Sequence, residues 1–235
     1  WAVNALWENG VRAFAARHPN AMPGQPPVYS RTSAAVAGAD TTKFGFRTGD
    51  VPIVANPTEL EVVIWPGGPD GVFNWLQQVF SVSQVDHAAG VMTLGREASS
   101  GATSAAWPIG AGSRYFVQGA RELLDAPGEF WHGGGFLYYR PRQLPIEAQE
   151  VLVPGPSPQY NEGLVSVTGA GAANTVHDIE FAGLALAYTG SRGSGFHLRD
   201  AERISITGNH VHDVGGNGIA LHGASRNNVV AGNTV

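Results

Sequence analysis

Toward the C-terminal end of the chain one nine-residue word recurs at nearly constant spacing, and this recurrence limits the possible folds more than any other feature. Arg203-Ile204-Ser205-Ile206-Thr207-Gly208-Asn209-His210-Val211 echoes Val176-His177-Asp178-Ile179-Glu180-Phe181-Ala182-Gly183-Leu184 and, more loosely, Asn227-Asn228-Val229-Val230-Ala231-Gly232-Asn233-Thr234-Val235. Aligned on Gly183, Gly208 and Gly232, the spacings are 25 and 24 residues, a period expected of stacked supersecondary units. A second word, Phe196-His197-Leu198, returns 23 residues later as Ile219-Ala220-Leu221. The words alternate inward, outward, inward, as a strand with one buried face must. The pattern predicts an all-β chain with a right-handed parallel β-helix of about two to three coils over 159–235, stacked about 4.8 Å apart. Asn209 and Asn233 fall one repeat apart and predict an internal asparagine ladder that satisfies backbone groups at the turns.

Composition supports short strands over helices. Charged residues make up 14% of the chain, while 32 Gly and 15 Pro supply many turns. The net charge of −5 and the scattered 14 Lys+Arg exclude a phosphate-binding surface, so no nucleic-acid partner is expected. No apolar run of about 18 residues occurs, so no membrane-spanning helix is expected. Cysteine is absent, which rules out disulfides, thiolate nucleophiles and thiolate metal sites. The chain begins at Trp1 without Met and stops at Val235 inside a repeat word, so both ends are expected to be cuts from a longer protein.

Residues 1–158 read as an N-terminal β-rich domain. Asn9-Gly10 between apolar flanks predicts a hairpin, since a type I′ turn needs positive φ at both central residues. Glu59–Trp65, Trp75–Val82 and Gly90–Leu94 alternate or run apolar between Gly, Pro and Asp clusters and predict strands of an antiparallel sheet. Residues 118–125 predict about two helical turns ending before Pro127. Near 124–141, Glu129-Phe130-Trp131 and Phe136-Leu137-Tyr138-Tyr139-Arg140 predict an aromatic hairpin around His132-Gly133-Gly134, with its aromatics burying one face. Trp7, Trp65, Trp75 and Trp131 are expected in the core, with sugar-stacking platforms as the alternative.

The segment Leu124-Asp125-Ala126-Pro127-Gly128-Glu129-Phe130-Trp131 with Phe136-Leu137-Tyr138-Tyr139-Arg140-Pro141, followed by the word at 176–184, resembles bacterial right-handed parallel β-helix proteins of the glycoside hydrolase type, fucosidase/xylanase-like and xylosidase-like members included. The opening Asn9-Gly10-Val11-Arg12 through Ala16-Arg17-His18-Pro19-Asn20 is similar to the start of the same group. The resemblance covers nearly the whole chain. It implies a secreted protein, extracellular or periplasmic, with a carbohydrate substrate and a catalytic carboxylate pair on middle coils that this chain does not reach. Fold alone does not fix activity.

Glycoside hydrolysis uses two carboxylates about 5–5.5 Å apart for retention or roughly 6.5–9.5 Å for inversion. Stacked repeats would bring two Asp or Glu of one column to about 4.8 Å. The expected columns are Asp178 on Arg203 and Asn227, Glu180 on Ser205 and Val229, Asp200 on Gly223, and Tyr188 on Asp213, so none holds two carboxylates. Asp213, Asp200 and His222 are the catalytic candidates; His197, Arg199 and His212 are the substrate-binding candidates, with His197, Arg199, Asp200 and His222 read as one outward polar strip. A solvated outer face is the alternative for that strip, and a hydrogen-bonded turn is the alternative for His210, His212 and Asp213. His210-Val211-His212 lacks a third ligand at metal-site spacing, so neither a metal nor another cofactor is expected. The expected function is glycoside hydrolysis of a polysaccharide or oligosaccharide. A polysaccharide lyase or epimerase with Arg199 as the basic group, and a noncatalytic carbohydrate-binding fragment, are the alternatives.

Overall fold

The computed structural model describes residues 3–33, 36, 41–70, 72–73, 75–98, 100–155, 162–190 and 192–235. The protein is all-β, with antiparallel and several parallel sheets and three 3-10 turns among the described residues. It divides into two units, Gly10–Gln149 and Trp1–Asn9 with Glu150–Val235.

The Gly10–Gln149 unit is built on a seven-stranded antiparallel sheet. Glu61–Trp65 lies between Arg114–Gln118 and Gln78–Asp86, which pairs in turn with Val91–Glu97. The alternating apolar residues of these strands supply the core, in which Leu60, Val62, Ile64, Phe80, Met92 and Tyr115 are almost fully buried. The expected strands are therefore present, with shifted ends.

Two local expectations in this unit fail for identifiable reasons. Residues 118–125 form only the 3-10 turn Arg121–Leu123. Gly119 has φ 98, donates its N–H to the Ala16 carbonyl and accepts the Trp131 indole N–H at 2.7 Å, so tertiary contacts take the groups a helix would use. The aromatic hairpin forms from Glu129–Gly133 and Phe136–Arg140 but turns at Gly134-Gly135, whose φ values of 60 and 82 suit a type I′ turn. Its aromatics do not bury one face. Phe130 is buried and Phe136 is 66% exposed, because the Glu129 end packs inward while the turn projects. Glu129 anchors that inner end: its carboxylate accepts the N–H groups of Ala126, Asp125 and Arg17, and burial pushes its carboxyl pKa up.

The other unit contains the repeats. Gly163–Thr168 pairs in parallel with Ser194–Arg199, which pairs with Ile219–His222. Glu180–Ala182, Ser205–Thr207 and Val229–Ala231 form a second three-stranded parallel sheet, with Ala185–Ala187 on His210–His212 and Val176–His177 on Ala201–Glu202 as two-stranded ones. The register follows the sequence repeat: Phe181 sits beside Ile206 and Ile206 beside Val230. Phe196, Leu198, Ile204, Ile206 and Val211 form the buried core between the sheets. The inward pattern weakens at the outer levels, where Ile179, Leu221 and Val230 are 36%, 42% and 46% exposed because a neighbouring level covers them less completely.

Level-to-level spacing is tight. A Cβ on Gly195 would lie 2.5 Å from a Val211 methyl and 2.6 Å from the Gly218 carbonyl oxygen, so only glycine fits there. The asparagine ladder is also present. Asn209 is 2% exposed; its carbonyl accepts the Leu184 N–H at 2.9 Å, and its amide donates to Phe181 O at 3.0 Å and to Asn233 Oδ1 at 2.9 Å. Asn233 repeats the role one level on, donating to Ile206 O. Asn228 makes a second rung of this kind, bonding Ile204 N–H and Ala201 O.

Removing the Asn209 side chain leaves the part-buried Leu184 N–H and Phe181 carbonyl without this partner, each worth about 1–3 kcal/mol. Asn209→Ala is therefore expected to lower unfolding free energy by about 2–4 kcal/mol in urea titration, and more than Asn233→Ala, whose position is less buried. Equal stability of Asn209→Ala and the parent chain would refute the ladder as a stabilising device.

Candidate functional site

Stacking puts a corner residue in the left-handed region at the same place on successive levels. Asp178, Arg203 and Asn227 have φ values of 61, 52 and 56, Tyr188 and Asp213 have 62 and 50, and Asp200 with Gly223 has 51 and 62. Asp and Asn tolerate this conformation, whereas Tyr188 and Arg203 take it at a cost that the surrounding packing offsets. The expected columns are thus the ones the fold makes.

The three aspartates of these corners have different surroundings. Both oxygens of Asp200 accept backbone N–H groups, Ala224 at 2.7 Å and Gly171 at 3.1 Å, so its carboxylate ties together the turns of adjacent levels. Asp178 is clamped in a bidentate fork by Arg203 at 2.7 and 2.8 Å and bonded by His177 at 2.6 Å, which holds its carboxyl far below the usual carboxylate range. Glu202, beside it, is held low chiefly by Arg226 at 2.6 Å and also by Arg203 at 2.8 Å. Asp213 is held instead by side chains that leave it partly open.

Asp213 Oδ1 accepts the Trp7 indole N–H at 3.1 Å, and Oδ2 lies 2.9 Å from His212 Nδ1. Trp7 is fully buried and meets Tyr188 edge-on at 5.2 Å between centroids, and Tyr188 meets His212 edge-on at 5.6 Å. His210 lies beside His212, with 4.7 Å between ring centroids, on the same face of one strand. The Asp213 and His212 side chains are 35% and 36% exposed. This cluster joins an oriented carboxylate, an imidazole in contact with it, a buried indole and the half-buried Tyr188 ring.

The strip of His197, Arg199 and His222 is arranged differently from the expectation. Arg199 is exposed and lies beside His222 in register. His197 stacks on His222 with centroids 4.9 Å apart, yet it is 3% exposed and neither ring nitrogen has a hydrogen-bond partner. It shares the outward register but not the solvent face. Burial, aided by His222 and Arg199 and opposed by Glu162, pushes its pKa down. Among the described residues, no register pair holds two carboxylates side by side, and no three metal-ligating side chains come together. The pairing of Trp7 with Asp213 leaves no signal in the sequence pattern, since 206 residues separate them.

No known protein family matches the chain, and no curated protein matches it. A solved structure described as "Glycoside hydrolase" superposes with a TM-score of 0.65 at 17% sequence identity, over 92% of this chain and 44% of that one. The fold is therefore glycoside hydrolase-like, and the chain spans less than half the length of that protein.

A histidine whose pKa is lowered on folding binds fewer protons in the native state than in the unfolded one, so stability falls as pH drops below about 6.5 toward the folded value. His197→Phe, which keeps a flat ring against His222, is expected to flatten the loss of melting temperature between pH 7 and pH 5. An unchanged slope would show that His197 does not set it.

Proposed function

We propose that this chain is part of a carbohydrate-active protein of the right-handed parallel β-helix type, a glycoside hydrolase that cleaves a polysaccharide or oligosaccharide outside the cytoplasm. Asp213 is the carboxylate this chain contributes to the reaction. The observation that carries the proposal is the Trp7–Asp213–His212 contact on a glycoside hydrolase-like fold. An oriented, half-open carboxylate is what such chemistry needs, because geometry sets whether a carboxyl reaches the glycosidic oxygen or the anomeric centre. Asp200, with both oxygens committed to backbone N–H groups, serves the turn rather than the reaction. His210 and His212 offer ring N–H groups or lone pairs to sugar hydroxyls, and Tyr188 offers an aromatic edge. Arg199 and His222 form a second polar strip for more distant sugar units.

The partner carboxylate comes from outside the strand registers described above, since none of them pairs two acids. That same observation favours a second reading, in which these levels bind glycan without cleaving it.

Incubation of the chain, and of the longer protein containing it, with a panel of plant and microbial polysaccharides separates the two. Hydrolysis predicts reducing-sugar release that Asp213→Asn lowers by about 10²-fold or more, with glycan affinity changed much less. Binding without release supports the second reading. Undiminished release by Asp213→Asn would remove Asp213 from the mechanism.

A further inference from the structure

The Gly10–Gln149 unit contains a cleft that the reading above does not use. It is about 510 Å³ in volume and is lined by Glu59, Arg121, Glu122, Leu124 and Trp131. That volume lies in the range of about 300–1,000 Å³ typical of small-ligand sites. We infer that this cleft is a separate saccharide-binding site, with the Trp131 ring as its apolar floor and Arg121, Glu122 and Glu59 as its hydrogen-bonding rim. The ligand class rests on the carbohydrate reading proposed above; the cleft and its chemistry do not.

Trp131 is held before any ligand arrives. Its indole N–H is committed to the Gly119 carbonyl at 2.7 Å, it packs against the buried core, and its ring lies 5.4 Å from that of Tyr138. A locked ring loses little freedom on binding, which favours affinity. Arg121 is also positioned: its guanidinium carbon stands 4.4 Å from the Tyr138 centroid and 6.0 Å from that of Trp131. Its fork of N–H donors is presented beside the indole.

The carboxylates supply the complementary acceptors. Glu122 takes the Ala55 N–H at 2.8 Å through Oε1, a contact that fixes its position and lowers its pKa, so it is ionised and purely an acceptor at neutral pH. Glu59 is steadied by Asn56, whose amide donates to its Oε1 at 3.3 Å. An apolar floor of Trp131 and Leu124 beside a rim of both donors and acceptors matches a pyranose ring, which has a C–H face and a belt of hydroxyls that each donate and accept. Two carboxylates disfavour phosphate and other anions. The guanidinium over the aromatic rings disfavours a metal cation, and no metal-ligating group of three is present among the described residues.

The sequence offers Trp131 as a sugar-stacking alternative but hides its grouping with the others, because these residues are 72 positions apart at the extremes and follow no motif. Glu59 precedes a sheet strand, Arg121 and Glu122 belong to the 3-10 turn that replaces the expected helix, and Trp131 comes from the aromatic hairpin.

Calorimetric titration of the full chain with cellohexaose, xylohexaose, mannohexaose and laminarihexaose tests the inference. At least one hexasaccharide is expected to bind. Trp131→Ala is expected to weaken that binding about tenfold or more, and the exposed-residue changes Arg121→Met and Glu122→Gln, which spare the core, about fivefold. Circular dichroism confirms folding of each variant. If a hexasaccharide binds the parent and the Arg121 and Glu122 variants alike, the inference fails while the carbohydrate reading stands. If none binds the parent at millimolar concentration and no polysaccharide is cleaved, the carbohydrate reading fails and takes the saccharide assignment of this cleft with it.

Discussion

The repeat unit depends on one buried amide bonded in three directions. Asn209 joins the level before it through Leu184 and Phe181 and the level after it through Asn233. A parallel sheet can slip by two residues and keep its apolar face, so alternation alone does not set the register. A buried amide whose donors and acceptor all need partners penalises every such slip, because it would leave polar groups unpaired away from water. Asn228 adds a second lock, and the close approach at Gly195 sets the spacing between levels.

Fixed register turns sequence spacing into surface chemistry. Side chains one repeat apart become neighbours, which is how Asp178 meets Arg203 and how Glu202 meets Arg226. These exposed pairs hold the carboxylates ionised but contribute modestly to stability, as surface ion pairs do. The same rule sets Tyr188 against Asp213 and Arg199 against His222, and His197 reaches His222 on the diagonal. Corner residues in the left-handed region differ in their surroundings: Asp200 ties turns, Asp178 pairs with a cation, and Asp213 is bonded by Trp7 and His212. Their backbone conformation is shared, and the neighbours decide the role.

The repeated words made most of the parallel pairing legible. Gly183, Gly208 and Gly232 marked the period, and Asn209 with Asn233 marked the ladder, because both features are local and periodic. The antiparallel strands were legible for the same reason. Other features were not. Residues 118–125 carry helix-forming side chains, but Ala16 and Trp131 claim the backbone of Gly119 through tertiary contacts. His197 has an outward register yet is buried, because alternation gives direction and not cover. Trp7 is buried as expected, whereas Trp75, expected in the core with it, is 73% exposed; the bond from Trp7 to Asp213 depends on a return of the chain that no spacing encodes. The cleft around Trp131 was invisible for the same cause.

The columns underlie every assignment in the repeat unit, and the absence of cysteine makes them directly measurable. Glu180 and Ser205 face each other in register on the exposed side of their sheet, so a Glu180→Cys, Ser205→Cys chain presents two thiols about 5 Å apart, while Glu180→Cys, Thr207→Cys presents them on a diagonal of about 7–8 Å. A rigid thiol cross-linker about 5 Å long should join the first pair quantitatively and the second poorly. Efficient linking of the diagonal pair with failure of the in-register pair would contradict the account.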